Sequence, residues 1–269
     1  MSSVSEFATA IRRESLNMVH RARASHIGSA LSIADIVAVL YGHVLKIDPN
    51  NPDWEERDRF ILSKGHACVA IYAALAKKGF FPMEDLLNYG KDHSILMNHI
   101  SHKVPGAEFS TGSLGHGLPF GVGKALVAKQ KQQIWRTVAL LSDGELGEGS
   151  NWEACLFAAH HCLDNLIVII DHNNLQSLTT VEETLALEPL EKKFEAFGCA
   201  VKRVDGHDHA VLIKEIESTP WEHGKPSIVI AETTKGKGVS FMENRVEWHY
   251  KSPNDEQLAE ALNDLGGQL

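Results

Sequence analysis

Apolar residues along this chain fall into short continuous runs and longer periodic ones. Thr137–Leu141 and Leu166–Ile170 are continuous apolar runs, the pattern of strands buried on both faces of a parallel sheet. Arg59–Leu62, Ala200–Val204 and Ser227–Ala231 read as further short strands. Between them lie segments of helical length and period. The first spans Ser5 to Arg23, with Phe7, Ile11, Leu16 and Val19 on roughly one face. A second is expected to start at Ser32, where Ser32 and Asp35 have the spacing of a capping box, and to continue through Ile36, Val39 and Leu40. Helical patterns recur through Ile71 and Leu75, over Phe120–Lys131, from about Ser150, over Pro189–Phe197 and over Asp208–Glu217. This alternation predicts a doubly wound α/β fold: one domain over residues 1–269, a mostly parallel sheet and helices on both faces. No internal repeat or low-complexity linker interrupts it, and Gly266-Gly-Gln-Leu269 reads as a frayed tail.

The two continuous runs are followed by oxygen-bearing residues. Ser142-Asp143-Gly144-Glu145 follows the first and Asp171-His-Asn173-Asn174-Leu175 the second, with glycines at 144, 147 and 149 between them. Ligands of open parallel sheets bind beyond the carboxyl ends of the strands, where glycines allow close approach to a bulky anion. The free N–H groups of the helix from Ser150 would face the same region. Magnesium favours hard oxygen ligands and keeps the oxygens of its phosphate partner, so Asp143, Asn173 and a carbonyl near Leu175 make a plausible set. Asp-Gly and Asn-Asn are also common turn residues. Their recurrence at the same end of successive strands favours a metal and phosphate site. The dinucleotide pattern Gly-x-Gly-x-x-Gly and the nucleoside triphosphate loop are both lacking.

Charge narrows the partners. With 26 basic and 35 acidic residues the formal net charge is −9, and no basic run appears, which disfavours nucleic acid and anionic membrane. Cys68, Cys155, Cys162 and Cys199 lack metal-ligand spacing, and three lie in apolar segments, so buried free thiols in a reducing compartment are expected. Met1–Ala10 has no signal-peptide pattern and no run is long enough to span a bilayer, so the cytoplasm is the expected location. Most of the fifteen histidines are expected at the surface or in packing, His160 and His161 among them. His26, His66 and His249 stand out because each lies in a loop beside a glycine or small residue.

The segment from Asp143 to Asn174 resembles the thiamine diphosphate signature, and its flanks resemble transketolase. The likeness runs through Ser25-His-Ile-Gly28, Ser63-Lys-Gly-His-Ala67, Pro105-Gly106, Ser110-Thr-Gly-Ser-Leu-Gly-His-Gly117, Thr234-Lys-Gly-Lys-Gly238 and Trp248-His249. It implies the diphosphate-binding, N-terminal part of a transketolase split over two chains. By this resemblance Asp143, Asn173 and the Leu175 carbonyl are the metal ligands. His66, Gly144, Glu145 and His249 lie at the cofactor's diphosphate, and Gly112, Ser113 and Leu114 at its rings. His26 and His99, together with His66 and His249, bind sugar hydroxyls and move protons, while Glu148 and Glu153 lie near a subunit interface. The implied cofactors are thiamine diphosphate and Mg2+, with Ca2+ or Mn2+ as substitutes.

Several positions depart from the family's pattern. Ser142 replaces its first glycine, Ile27 and Ile100 stand where proline is common, and Asn98 stands where glycine is usual. His116 replaces a common glutamine, and Tyr250 occupies a position where a smaller residue is frequent. The resemblance also implies a pyrimidine-binding domain on a separate C-terminal subunit, in an α2β2 assembly, because the chain stops before any such domain. The implied activity is transfer of a two-carbon ketol unit from a ketose or ketose phosphate to an aldose. The alternatives are the alpha subunit of another two-chain thiamine enzyme, such as a 2-oxo acid dehydrogenase, and a noncatalytic cofactor-binding subunit.

Overall fold

The computed structural model describes residues 3–266. Five strands, Arg59–Leu62 (β1), Thr137–Ser142 (β2), Leu166–His172 (β3), Ala200–Asp205 (β4) and Ser227–Glu232 (β5), form one sheet in the order β1-β2-β3-β5-β4. Every pairing is parallel. All strands therefore end at the same edge, and their helical connections must lie on the faces. The helices are Val4–Ala22 (α1), Ile27–Ser32 (α2), Ala34–Val39 (α3), Cys68–Lys78 (α4), Gly117–Gln130 (α5), Gly149–His160 (α6), Val181–Thr184 (α7), Leu190–Ala196 (α8), His209–Glu217 (α9) and Asp255–Asp264 (α10).

Successive strand residues point to opposite faces, which divides the core in two. Val138, Leu140, Ile167, Ile169 and Val229 pack under a layer that includes Ile11 and Leu16 of α1, Ile36 of α3, Ile71 of α4 and Leu212 of α9. Ala139, Leu141, Val168, Ile170 and Ile228 pack against Val122 of α5, Ala158 of α6 and Phe194 of α8. Burial on both faces is why these strands read as unbroken apolar runs. Among the described residues no helix is long and apolar enough to cross a membrane.

The helix expected from Ser32 is not built that way. Ser32 ends α2, Ile33 stands between α2 and α3, and the Ser32–Asp35 box does not form. Both side chains have stronger partners. The Ser32 hydroxyl donates to Asp171 at 2.6 Å, while Asp35 takes the Arg12 guanidinium at 2.5 and 3.2 Å, His207 at 2.7 Å and His209 at 2.8 Å. Capping boxes occur instead at Ser3–Glu6 and Asn254–Gln257. The second opens α10, for which Leu258, Leu262 and Leu265 at helical spacing were a legible signal. Strand β3 runs two residues further than expected, so Asp171 and His172 belong to the sheet. The frayed tail expected at Gly266–Leu269 lies outside the described residues except for Gly266.

Asp35 ties the layer together. Burial pushes its carboxyl up, but the hydrogen bonds from His207, Arg12 and His209 outweigh this and hold it well below the usual carboxylate range. Through Arg12, which also donates to the Lys237 carbonyl at 3.0 Å, and through His207, which accepts from the Thr234 amide at 2.9 Å, the cluster fixes the loop after β5. Asp35→Ala leaves the buried Arg12 cation unpaired, and should lower the unfolding free energy by about 3 kcal/mol in urea titration.

Candidate active site at the carboxyl edge of the sheet

The segments leaving β1, β2, β3 and β5 converge beyond one edge of the sheet. They enclose a cleft of about 220 Å³ lined in part by Lys64 and His66 after β1, Asp143 and Gly144 after β2, Asn173 and Leu175 after β3, and Lys235 and His249 after β5. Gly65 makes the first contribution possible: a Cβ there would lie 2.3 Å from the Thr111 carbonyl oxygen, so only glycine lets the Lys64–His66 loop pass beneath Thr111. The Gly65 carbonyl also accepts from the Ile100 amide at 3.0 Å, which draws the His99 segment to the same place. Gly236 lies in the left-handed region (φ 81°), with a would-be Cβ 2.3 Å from the Met242 carbonyl oxygen, and so shapes the turn that carries Lys235.

Asp143 is 1% exposed. Its Oδ1 accepts from the Gly144 amide at 2.7 Å and its Oδ2 from the Asn174 amide at 2.6 Å, but it forms no ion pair with a described residue. Burial, with the Asp171 carboxylate beside it, pushes its carboxyl up to about 6. Asn173 donates through Nδ2 to Asp171 at 2.9 Å, and its Oδ1 accepts from the Leu175 amide at 3.1 Å. Lys235, 2% exposed, donates to the carbonyls of Leu175 (3.1 Å) and Gln176 (2.8 Å) and to His249 Nδ1 (3.1 Å). An ammonium has no lone pair, so Nδ1 of His249 is the acceptor and its ring proton sits on Nε2. Burial and the neighbouring Lys64 bring Lys235 down to about 8, which leaves it mostly charged at neutral pH.

The four histidines singled out from sequence form one cluster. His26 lies 5.0 Å from His66, 5.0 Å from His249 and 5.9 Å from His99, centroid to centroid. His26 adopts a left-handed conformation (φ 75°, ψ 17°), held by donation from its amide to the His249 carbonyl at 2.7 Å. A non-glycine residue in that region is a strained arrangement. His102, three residues beyond His99, turns away and pairs with Ser110 at 2.7 Å. Burial lowers all four imidazoles, to about 4 for His26 and about 3 for His249, and the Lys235 and Lys64 ammonium groups add to this in both. His66 lies well below its usual value for the same leading reason, and His99 is lowered by burial.

The other expected contacts are placed less uniformly. Gly144 and Leu114 line the cleft, and Gly112 faces the His99 ring, whereas Gly112 and Ser113 are solvent-exposed. Glu145 is fully buried and does not line the cleft. Its carboxylate accepts from the Ser63 hydroxyl, the Gly115 amide at 2.9 Å and the Ser142 amide, so it buttresses the loop instead of reaching a ligand. Glu148 and Glu153 are exposed. Sequence reasoning gave no role to Lys64, Asp171 or Lys235. Asp171 could have been flagged as a carboxylate directly continuing an apolar run, and the two lysines as cations inside glycine-containing motifs.

The family model described as "Transketolase, thiamine diphosphate binding domain" matches residues 3–268. The chain belongs to the transketolase family. It is 45% identical over 260 residues to one subunit of the apulose-4-phosphate transketolase of Actinobacillus succinogenes, covering 96% of this chain and 94% of that one. Its identity to the like-named subunit from Phocaeicola vulgatus is 40% over 258 residues, covering 96% and 92%. The crystal structure of transketolase from Campylobacter jejuni matches with a TM-score of 0.92 and 34% identity, over 99% of this chain and 43% of that one. The chain thus spans less than half the length of that transketolase.

Thiamine diphosphate is the cofactor of this domain, and the residues present suit it. The cleft holds a buried carboxylate with no described cation on it, Asp143. It also holds a buried ammonium, Lys235, which donates to carbonyls and an imidazole and to no carboxylate among the described residues. A divalent cation carrying a diphosphate supplies the opposite charge to each. Among the described residues no three His, Cys, Asp or Glu side chains converge as a metal cluster, so a cation here would depend on neutral oxygens as well as Asp143.

The histidines make acid stability a test of their burial. Unfolded imidazoles take up protons near pH 6.5, whereas folded His26 and His249 do so only near 4 and 3. Between these limits the unfolded state binds more protons, so these residues make stability fall as pH drops from about 6.5 toward 4. Unfolding curves recorded over that range should show the decline, and His26→Asn/His249→Asn should flatten it.

Proposed function

We propose that this chain is the N-terminal, diphosphate-binding subunit of a two-chain transketolase, which transfers a two-carbon ketol unit from a ketose or ketose phosphate to an aldose acceptor. The observation that carries the reading is the pairing, in one cleft, of the unneutralised Asp143 and Lys235 with the neutral His66 and His249, behind which His26 and His99 complete a cluster of four rings without lining the cleft themselves. Asp143, Asn173 and the Leu175 carbonyl would hold Mg2+, or Ca2+ or Mn2+ in the same oxygen shell. The Leu175 carbonyl accepts from Lys235 at 3.1 Å and has a second lone pair for a cation, and the Lys235 ammonium in the same cleft would offer positive charge to a diphosphate. Gly144 and Leu114, which line the cleft, would flank the cofactor, and Gly112 and Ser113, outside that lining, would approach its rings.

Bound thiamine diphosphate supplies carbanion stabilisation, the part of the chemistry that side chains cannot perform. The histidines do the rest on this chain. Uncharged imidazoles each offer one donor and one acceptor, which suits sugar hydroxyls and lets them relay a proton between hydroxyl and carbonyl oxygens. His249 would present Nε2–H to the sugar, and His26, His66 and His99 surround the same space.

A second polypeptide follows from the same reading. Relatives matched over almost their whole length are named as one subunit of a transketolase, and the single-chain transketolase from C. jejuni is more than twice as long. We take the partner to carry the pyrimidine-binding domain, in an α2β2 assembly located in the cytoplasm. Leu178 (80% exposed) and Leu185 (55% exposed) project from the loop after the cleft residue Ser177, leaving apolar surface for a partner to cover.

Two outcomes test the proposal. The purified chain with thiamine diphosphate and Mg2+ should show no ketol transfer, and adding its copurifying partner should restore it; full activity of the chain alone would refute the split arrangement. In the assembled enzyme, Asp143→Ala should abolish Mg2+-dependent cofactor binding in calorimetry, and normal affinity would remove Asp143 from the ligand set.

A further inference from the structure

Asp171 sits below the candidate metal ligands with a fully enclosed side chain, 0% exposed. Four donors from four parts of the fold reach it. Its Oδ1 accepts from Ser32 Oγ at 2.6 Å and Thr233 Oγ1 at 2.5 Å, and its Oδ2 from Lys64 Nζ at 2.5 Å and Asn173 Nδ2 at 2.9 Å. They come from α2, from the segment after β5, from the segment after β1 and from the residue that follows β3. With both oxygens occupied and no exposed surface, Asp171 cannot itself face the cleft.

An amide side chain has two nearly isosteric ends, and only one can ligate a cation. Asp171 is a pure acceptor when ionised, so the end of Asn173 that meets it must be the NH2 group. Oδ1 is thereby turned the other way, toward the Leu175 amide and the cleft. We propose that Asp171, held by Lys64, Ser32 and Thr233, is a positioning residue that locks the amide of Asn173 with its oxygen toward the metal. This rests on the metal site proposed above. Lys64 neutralises the charge that Asp171 adds beneath the site, and the two hydroxyls prevent the carboxylate from rotating away from Asn173. Partners of this kind orient ligands and tune metal affinity, and losing one typically costs about tenfold to a hundredfold in affinity.

The test uses a substitution for which the two views predict opposite signs. Asn173→Asp replaces a neutral oxygen ligand with a charged one, which by itself should strengthen binding of a dication. If Asp171 acts as proposed, the new carboxylate faces another carboxylate and has no proton to give it. Affinity of the assembled enzyme for Mn2+ in the presence of thiamine diphosphate, followed by electron paramagnetic resonance, should then fall about tenfold to a hundredfold. The reciprocal pair Asp171→Asn/Asn173→Asp restores one donor and one acceptor and should recover most of the loss, as coupled neighbours do. Unchanged or tighter Mn2+ binding by Asn173→Asp, or no recovery in the pair, would overturn the inference.

A second measurement needs no folded variant. In the wild-type chain without metal, the Asn173 side-chain amide should give one slowly exchanging pair of proton resonances, unaltered in number when Mg2+ and thiamine diphosphate are added. Two interconverting pairs or fast exchange would show an amide free to turn, and that also overturns the inference. If the wild-type assembled enzyme binds no Mn2+ with thiamine diphosphate, the metal reading fails and this inference with it. Wild-type binding with an indifferent Asn173→Asp defeats the positioning role alone.

Discussion

Two carboxylates, Asp143 and Asp171, are buried at the ends of adjacent strands, and only Asp171 has a lysine on it. Burying a charge without a partner is costly, and folding has met that cost differently at the two positions. Asp171 is satisfied from four directions and stays ionised despite its burial. Asp143 keeps two backbone amides, and its carboxyl rises toward neutrality. The sheet edge is therefore left with an acidic group that gains by meeting a cation. Lys235, enclosed among carbonyls, gains correspondingly by meeting an anion. A metal diphosphate satisfies both demands, and the charge pattern of the cleft follows from this imbalance.

The histidine cluster depends on backbone geometry more than on the imidazoles themselves. Glycine at 65 lets one loop slide beneath another, and the amide-to-carbonyl bond from His26 to His249 joins two segments more than 200 residues apart in sequence. Enclosure then keeps the rings uncharged, so four bases can share a small volume without mutual repulsion. Behind them the Asp35 cluster fixes the Thr234–Lys237 segment, so the position of Lys235 is tied to a buried ion network on the far side of the loop. On the other flank Arg203 clamps Glu188 and Glu191 at 2.9 and 2.5 Å, which anchors the far end of the loop that begins with Leu175.

The fold was legible because its central strands β2 and β3 are buried on both faces and a helix such as α1 on one. The runs at β2 and β3 could be read directly, and the parallel alternation followed. The Ser32–Asp35 box failed because a capping motif describes only local competition for amides. Both side chains were taken by residues more than 100 positions away, Asp171 for Ser32 and the two histidines for Asp35. Glu145, adjacent to the expected diphosphate contacts, is turned into the protein by Ser63 and Gly115 in the same way.

Sequence by itself determined the class of fold, the edge of the sheet where the candidate cleft lies and the residue types available there, since these depend on periodicity and on what lies within a few residues of each strand end. It also carried the family, through short motifs spread along the chain. Tertiary structure alone decided which acid is paired with a lysine and which is not, which end of the Asn173 amide faces the cleft, and that Lys235 rests on the carbonyl expected to hold a metal. Those outcomes depend on distances between segments far apart in the chain, and electrostatic and hydrogen-bond energies fall so steeply with distance that no local pattern encodes them.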